Sequence, residues 1–193
     1  MLLPISVLSV VTRTLEKLGI RYVLVGSFAS SMHGVYRATA DVDILAELNT
    51  QHIRPLYDAL NEEFYIDEQA IRGAIARRGS FNAIHFDSVF KVDIFVAGND
   101  EFAFSQLDRR ELRKLSPDSQ DAIYVATAED TILAKLRWYR AGDESSNSQW
   151  RDVLGILGTL QASLDQDYLK SWAAVLDISD LLERALSEMQ TGK

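Results

Sequence analysis

The 193-residue chain predicts an α/β fold of the α+β kind, a mixed β-sheet core flanked by helices with a helical C-terminal bundle. Three observations predict it. Short apolar, β-branched runs alternate with helix-spaced stretches through the first two thirds of the chain. One of those runs, "ADVDILAEL", carries Asp41 and Asp43 at strand period. From Thr127 onward every patterned stretch is helical. Residues 1–126 therefore form the expected α/β core, with 127–193 a helical region packed on it.

Taken in order, residues 5–18 place apolar side chains at helical spacing, and Gly19 is a C-cap. "RYVLVG" is a strand, and "SFASSMHG" makes two helical turns starting at Ser27 and stopped by Gly34. "ADVDILAEL" is a strand and "TQHIRPLYDALNEE" a helix capped by Thr50. "IDEQAIRGAIARRG" is helical. "SFNAIHF" and "VFKVDIFVA" form a hairpin joined at Asp87-Ser88. "EFAFSQL" makes a short helix, and "ELRKL" and "AIYVAT" are short strands. Thr127 and Asp130 then stand at capping-box spacing before "TILAKLRWYRAG". Three more helices follow at "SQWRDVLGILGTL", "DQDYLKSWAAVL" and "ISDLLERALSEM".

Bulk properties narrow the classes. Apolar residues make up 47% and charged residues 25%, the balance of a globular domain. There is no cysteine, which excludes a thiolate nucleophile, a Cys-based zinc site and a disulfide framework, and suits a cytoplasmic protein. No apolar run reaches membrane-spanning length. The opening "MLLPISVLSVV" lacks a basic n-region and a cleavage site, and reads as part of an amphipathic helix. The net charge of −8 disfavours non-specific nucleic-acid binding. Only the middle of the chain is balanced, with basic clusters at "IARRG" and "RRELRK" that read first as solvated surface.

The carboxylates carry the chemistry. Asp41 and Asp43, two apart on a strand, point to one face. Like charges in a partly buried setting repel and lose hydration, so they need a compensating cation. Mg²⁺ takes oxygen ligands from one or two carboxylates plus substrate phosphates. Asp93 in "FKVDIFVA" is a third acid inside an apolar strand. If its strand lies beside the first, the three acids hold metal ions as a phosphoryl-transfer site does. A simply wet strand face is the plain alternative. Gly26-Ser27, between a strand and a helix, suits phosphate: glycine admits close approach and helix N–H groups favour an anion.

Gly26-Ser27, thirteen residues, then Asp41-Val42-Asp43 resembles the signature of the polymerase β-type nucleotidyltransferase superfamily, and Asp93 resembles its third strand acid. Within it the chain is similar to small bacterial stand-alone enzymes, including abortive-infection toxin nucleotidyltransferases. The similarity lies in "HGVYRATADVDIL", with Arg37 and Thr39 before the acids, and more loosely in Lys135 of "TILAKLRWYR" and Asp152 of "QWRDVLGIL". Relatives in the toxin group often carry Gly-Gly where this chain has Gly26-Ser27. The resemblance spans roughly residues 20–155.

What the resemblance implies is transfer of a nucleoside monophosphate from a nucleoside triphosphate to a hydroxyl acceptor. Asp41, Asp43 and Asp93 would be catalytic and hold Mg²⁺, two ions in all, the second brought with the nucleotide. Gly26, Ser27, Arg37, Lys135 and Asp152 would bind the nucleotide. The acceptor stays open among a tRNA end, a small molecule and a protein. A homodimer or an antitoxin-type partner stays open as well. The competing reading is a catalytically silent relative acting as a binding or regulatory protein. His33, His52 and His85 lack zinc-site spacing, and Trp138, Tyr139 and Trp150 at helical spacing read as core rather than as a base-stacking set.

Overall fold

A computed structural model of the chain describes residues 5–35, 41–114 and 122–191. It divides into two compact units: Met1–Val25 with Ala38–Ala126, and Gly26–Arg37 with Thr127–Lys193.

The first unit is built on a mixed seven-stranded sheet. Its strands are β1 (Tyr22–Val25), β2 (Asp41–Ala46), β3 (Phe64–Tyr65), β4 (Ser80–His85), β5 (Lys91–Val96), β6 (Glu111–Lys114) and β7 (Ala122–Val125). They lie in the order β3-β4-β5-β2-β1-β7-β6. β2 pairs antiparallel with β1 and parallel with β5, and β1 pairs parallel with β7. The central strands are apolar on their inner face, where Val42, Ile44, Val92 and Ile94 are all fully buried. Helices α1 (Ile5–Lys17), α3 (Ile53–Leu60), α4 (Glu68–Arg77) and α5 (Glu101–Arg109) supply the rest of this core with Leu8, Leu15, Leu56, Ile71 and Leu107. Burial of such side chains contributes about 1.5–3 kcal/mol each.

The second unit is helical: α2 (Gly26–Met32), α6 (Ala128–Ala141), α7 (Asn147–Leu160), α8 (Gln166–Val175) and α9 (Ser179–Thr191). Ile132, Leu136, Val153, Ile156, Leu169 and Ala185 form its core. α7 approaches Val35 so closely that a Cβ on Gly155 would lie 2.6 Å from its Cγ2.

Several local expectations are corrected. The two-residue strand β3 is too short to leave a periodic signal, and forms by pairing with β4. The cap before α3 is Asn49 rather than Thr50. Asn49 accepts from the Gln51 amide at 2.9 Å, and His52 Nδ1 accepts from the Asn49 amide at 3.2 Å, so a single 3₁₀ turn precedes the helix. α2 begins one residue early, at Gly26, whose φ of +66° lets β1 turn directly into a helix. The expected hairpin is present, with His85 N–H donating to the Phe90 carbonyl at 2.9 Å across its tip.

Candidate active site

β2 and β5 run parallel with no stagger across the acids. Asp43 is the cross-strand partner of Asp93, and Asp41 that of Lys91. Alternation then places Asp41, Asp43, Lys91 and Asp93 on one sheet face, opposite the buried Val42, Ile44, Val92 and Ile94. The face is half open: the side chains of Asp41, Lys91 and Asp93 are 45%, 36% and 16% exposed. The acids are thus tolerated because the apolar side of each strand builds the core while the acid side keeps partial access to water.

Lys91 is the residue that sequence reasoning passed over. Its Nζ lies 2.6 Å from Asp93 Oδ2 and 3.6 Å from Asp41 Oδ2, bridging the two strands. The hydrogen bond to Asp93, with the charges of Asp93 and Asp41 adding to it, raises its pKa above the ordinary 10.5. Its signal was available, since Lys-x-Asp at 91–93 repeats the period of Asp-x-Asp at 41–43. Among the described residues, no three His, Asp or Glu side chains stand close enough together to hold a metal ion. Asp41 and Asp93 are instead turned to an ammonium. The donor set is nonetheless of the hard, all-oxygen kind that suits Mg²⁺, and an internal cation already marks the place as one that demands positive charge.

The other expected residues lie in the second unit or outside the described residues. Gly26 and Ser27 open α2, where their carbonyls accept the hydroxyls of Ser30 at 3.2 Å and Ser31 at 3.0 Å. Arg37 and Thr39 fall outside the described residues. Lys135 and Asp152 meet between α6 and α7. Nζ lies 2.7 Å from Asp152 Oδ2 and donates to Gln149 Oε1 at 3.0 Å, and both residues are 3% exposed. Removing either partner of such a buried pair costs about 3–5 kcal/mol, because the other charge is stranded. On the same helix α6, Asp130 is fully buried and accepts the Tyr168 hydroxyl at 2.6 Å, a contact no local pattern announced.

The histidines and aromatics take structural parts. His33 is buried at the end of α2. His85 Nδ1 lies 2.9 Å from Ser88 Oγ and fastens the hairpin tip. Trp150 packs on Tyr139 at 5.2 Å between ring centroids, beneath the Arg184 guanidinium; Trp138, expected as core, is instead 60% exposed, one position round the helix from the buried Tyr139.

No protein-family model and no curated protein matches the sequence. Solved structures do match the fold. An antigenic nucleotidyltransferase-like protein from Paracoccidioides brasiliensis is similar at TM-score 0.56 and 16% identity, covering 94% of this chain and 91% of that one. ANT(2")-Ia in complex with adenylyl-2"-tobramycin is similar at TM-score 0.55 and 12% identity, covering 90% and 96%. The solution structure of antibiotic-resistance factor ANT(2'')-Ia is similar at TM-score 0.54 and 12% identity, covering 98% and 97%. At these identities the likeness establishes the fold. The chain has the polymerase β-type nucleotidyltransferase fold that its motif implies.

Proposed function

We propose that the protein is a Mg²⁺-dependent nucleotidyltransferase that moves a nucleoside monophosphate from a nucleoside triphosphate to a hydroxyl acceptor. One observation carries this reading: the unstaggered β2–β5 register puts Asp41, Asp43 and Asp93 on one face of a nucleotidyltransferase fold. Asp41 and Asp43 would hold the metal ion that accompanies the triphosphate, and Asp93 would join them for the second ion. When bound, Mg²⁺ supplies charge neutralisation at the attacking and leaving oxygens. The Asp93 carboxylate takes up the proton of the acceptor hydroxyl as its oxygen bonds to the α-phosphorus. The bond to the bridging oxygen breaks and pyrophosphate leaves with the electron pair. The motif resemblance assigns Gly26, Ser27 and Arg37 to the β and γ phosphates. The buried Lys135–Asp152 pair ties α6 to α7 within the helical unit. The protein's own contribution is position and fixed charge.

A small cationic molecule is the acceptor we favour. The chain's charge of −8 suits it, and one protein of the same fold was solved with adenylyl-2"-tobramycin. A tRNA end and a protein hydroxyl are the remaining acceptor classes.

Thermal unfolding of the wild type and Asp41→Asn, with each of the four nucleoside triphosphates and with or without Mg²⁺, tests the reading. A ligand that binds only the native state must raise its stability, by about 2.7 kcal/mol at a hundredfold excess over Kd. The expected outcome is a Mg²⁺-dependent rise with at least one nucleotide that Asp41→Asn abolishes. No rise with any nucleotide at millimolar concentration would sink the enzyme reading in favour of a silent, partner-binding relative.

A further inference from the structure

We propose that Lys91 is a built-in counter-cation for the acid face: it pairs with Asp93 and Asp41 in the metal-free protein and is displaced when a divalent cation loads. The proposal deepens the nucleotidyltransferase reading and rests on it.

Three features support it. Lys91 is the cross-strand partner of Asp41 and lies two residues before Asp93, so the sheet itself delivers its side chain to the acid face. Its Nζ reaches a carboxylate oxygen on each of two neighbouring strands, at 2.6 Å and 3.6 Å. The strands that carry it are central, and the residues alternating with it are fully buried, so its Cα is held in place by the core. An exposed ion pair between two flexible side chains contributes little. This lysine instead stands on a rigid strand facing several like charges, which would otherwise repel one another.

An ammonium and a divalent ion seek the same carboxylate lone pairs. A bare metal ion must therefore displace Lys91 using the carboxylates alone. An ion arriving with a triphosphate brings anionic ligands of its own. Lys91 thereby couples metal loading to nucleotide binding and offsets part of the acid face's charge between turnovers.

Mn²⁺ binding, followed by loss of the free-ion electron paramagnetic resonance signal, tests this in the wild type, Lys91→Met, Lys91→Gln and Lys91→Arg, with and without nucleoside triphosphate. Without nucleotide, Lys91→Met and Lys91→Gln are expected to bind Mn²⁺ about tenfold more tightly than the wild type, the effect of one nearby unit charge. Lys91→Arg should stay near wild type. Metal-free Lys91→Met should unfold at a lower temperature than the wild type and regain the difference on adding Mn²⁺, a response that loss of packing alone would not give. Unchanged or weaker Mn²⁺ affinity in both uncharged variants, in a protein whose wild type binds Mn²⁺ with nucleotide, overturns the counter-cation role and leaves the enzyme reading standing. Absence of Mn²⁺ binding by every variant, with nucleotide as well as without, overturns both.

Discussion

Tyr22 is 1% exposed, yet its hydroxyl donates to Glu16 Oε1 at 2.8 Å and its ring meets Tyr124 edge-on at 5.7 Å. Burial, and then the hydrogen bond to Glu16, raises its pKa above the ordinary 10. The folded protein therefore holds this proton more tightly than the unfolded chain does. The contribution is complete below pH 10 and is lost as pH rises from there toward the folded-state value. Denaturant unfolding measured across pH 9–12 should show wild-type stability falling more steeply than that of Tyr22→Phe above about pH 10, by up to about 1.4 kcal/mol per pH unit. Parallel curves would refute the assignment. The same residue-scale accounting separates the two lysines of interest. Lys135 is sealed against Asp152 and Gln149 inside the helical unit, whereas Lys91 sits on a half-open face.

Helix ends and glycines show what single elements require. Asp67, Asp100, Thr127 and Asp165 each cap the helix that follows by accepting a backbone N–H, and of these the sequence reading named Thr127. Two helical glycines make opposite predictions. In α7, a Cβ at Gly155 meets the short, branched side chain of Val35 at 2.6 Å. Overpacking of this kind costs about 1–3 kcal/mol, against roughly 1 kcal/mol of helix propensity gained over glycine. In α4, a Cβ at Gly73 meets only the guanidinium tip of Arg77 at 3.0 Å, which can swing away. Chemical denaturation should find Gly155→Ala less stable than wild type and Gly73→Ala more stable by roughly 0.5–1 kcal/mol. Equal effects would mean that α7 has room to shift away from Val35.

At the scale of the molecule, charge decides which partners are excluded. The net charge is −8, and two cations of the "RRELRK" cluster are engaged within the fold. Arg113 pairs with Glu111 at 2.6 Å, and the Arg110 guanidinium lies 4.5 Å over the Tyr124 ring. Non-specific phosphate contact needs clustered, available cations. Filter binding at about 0.15 M salt should therefore detect no retention of random-sequence RNA or duplex DNA at micromolar protein. Micromolar binding with a steep salt dependence would contradict this and move the acceptor assignment toward tRNA. No helix among the described residues is long and apolar enough to cross a membrane.

The sequence by itself determined the alternation of strand and helix, the Thr127 cap, and two acids at strand period after a Gly-Ser turn with a third in a later strand. Those features are local: period 2, period 3.6 and capping each act within a few residues. It left Lys91 unnoticed, because the Lys-x-Asp period of 91–93 puts a cation opposite Asp41 only once its strand has a neighbour. Only the tertiary structure decided that β5 lies parallel to β2 with Asp93 opposite Asp43 and Lys91 opposite Asp41. The physical reason is that register between strands distant in the chain follows from burying Val42, Ile44, Val92 and Ile94 together. A one-residue slip of β5 would turn Val92 and Ile94 over to the acid face.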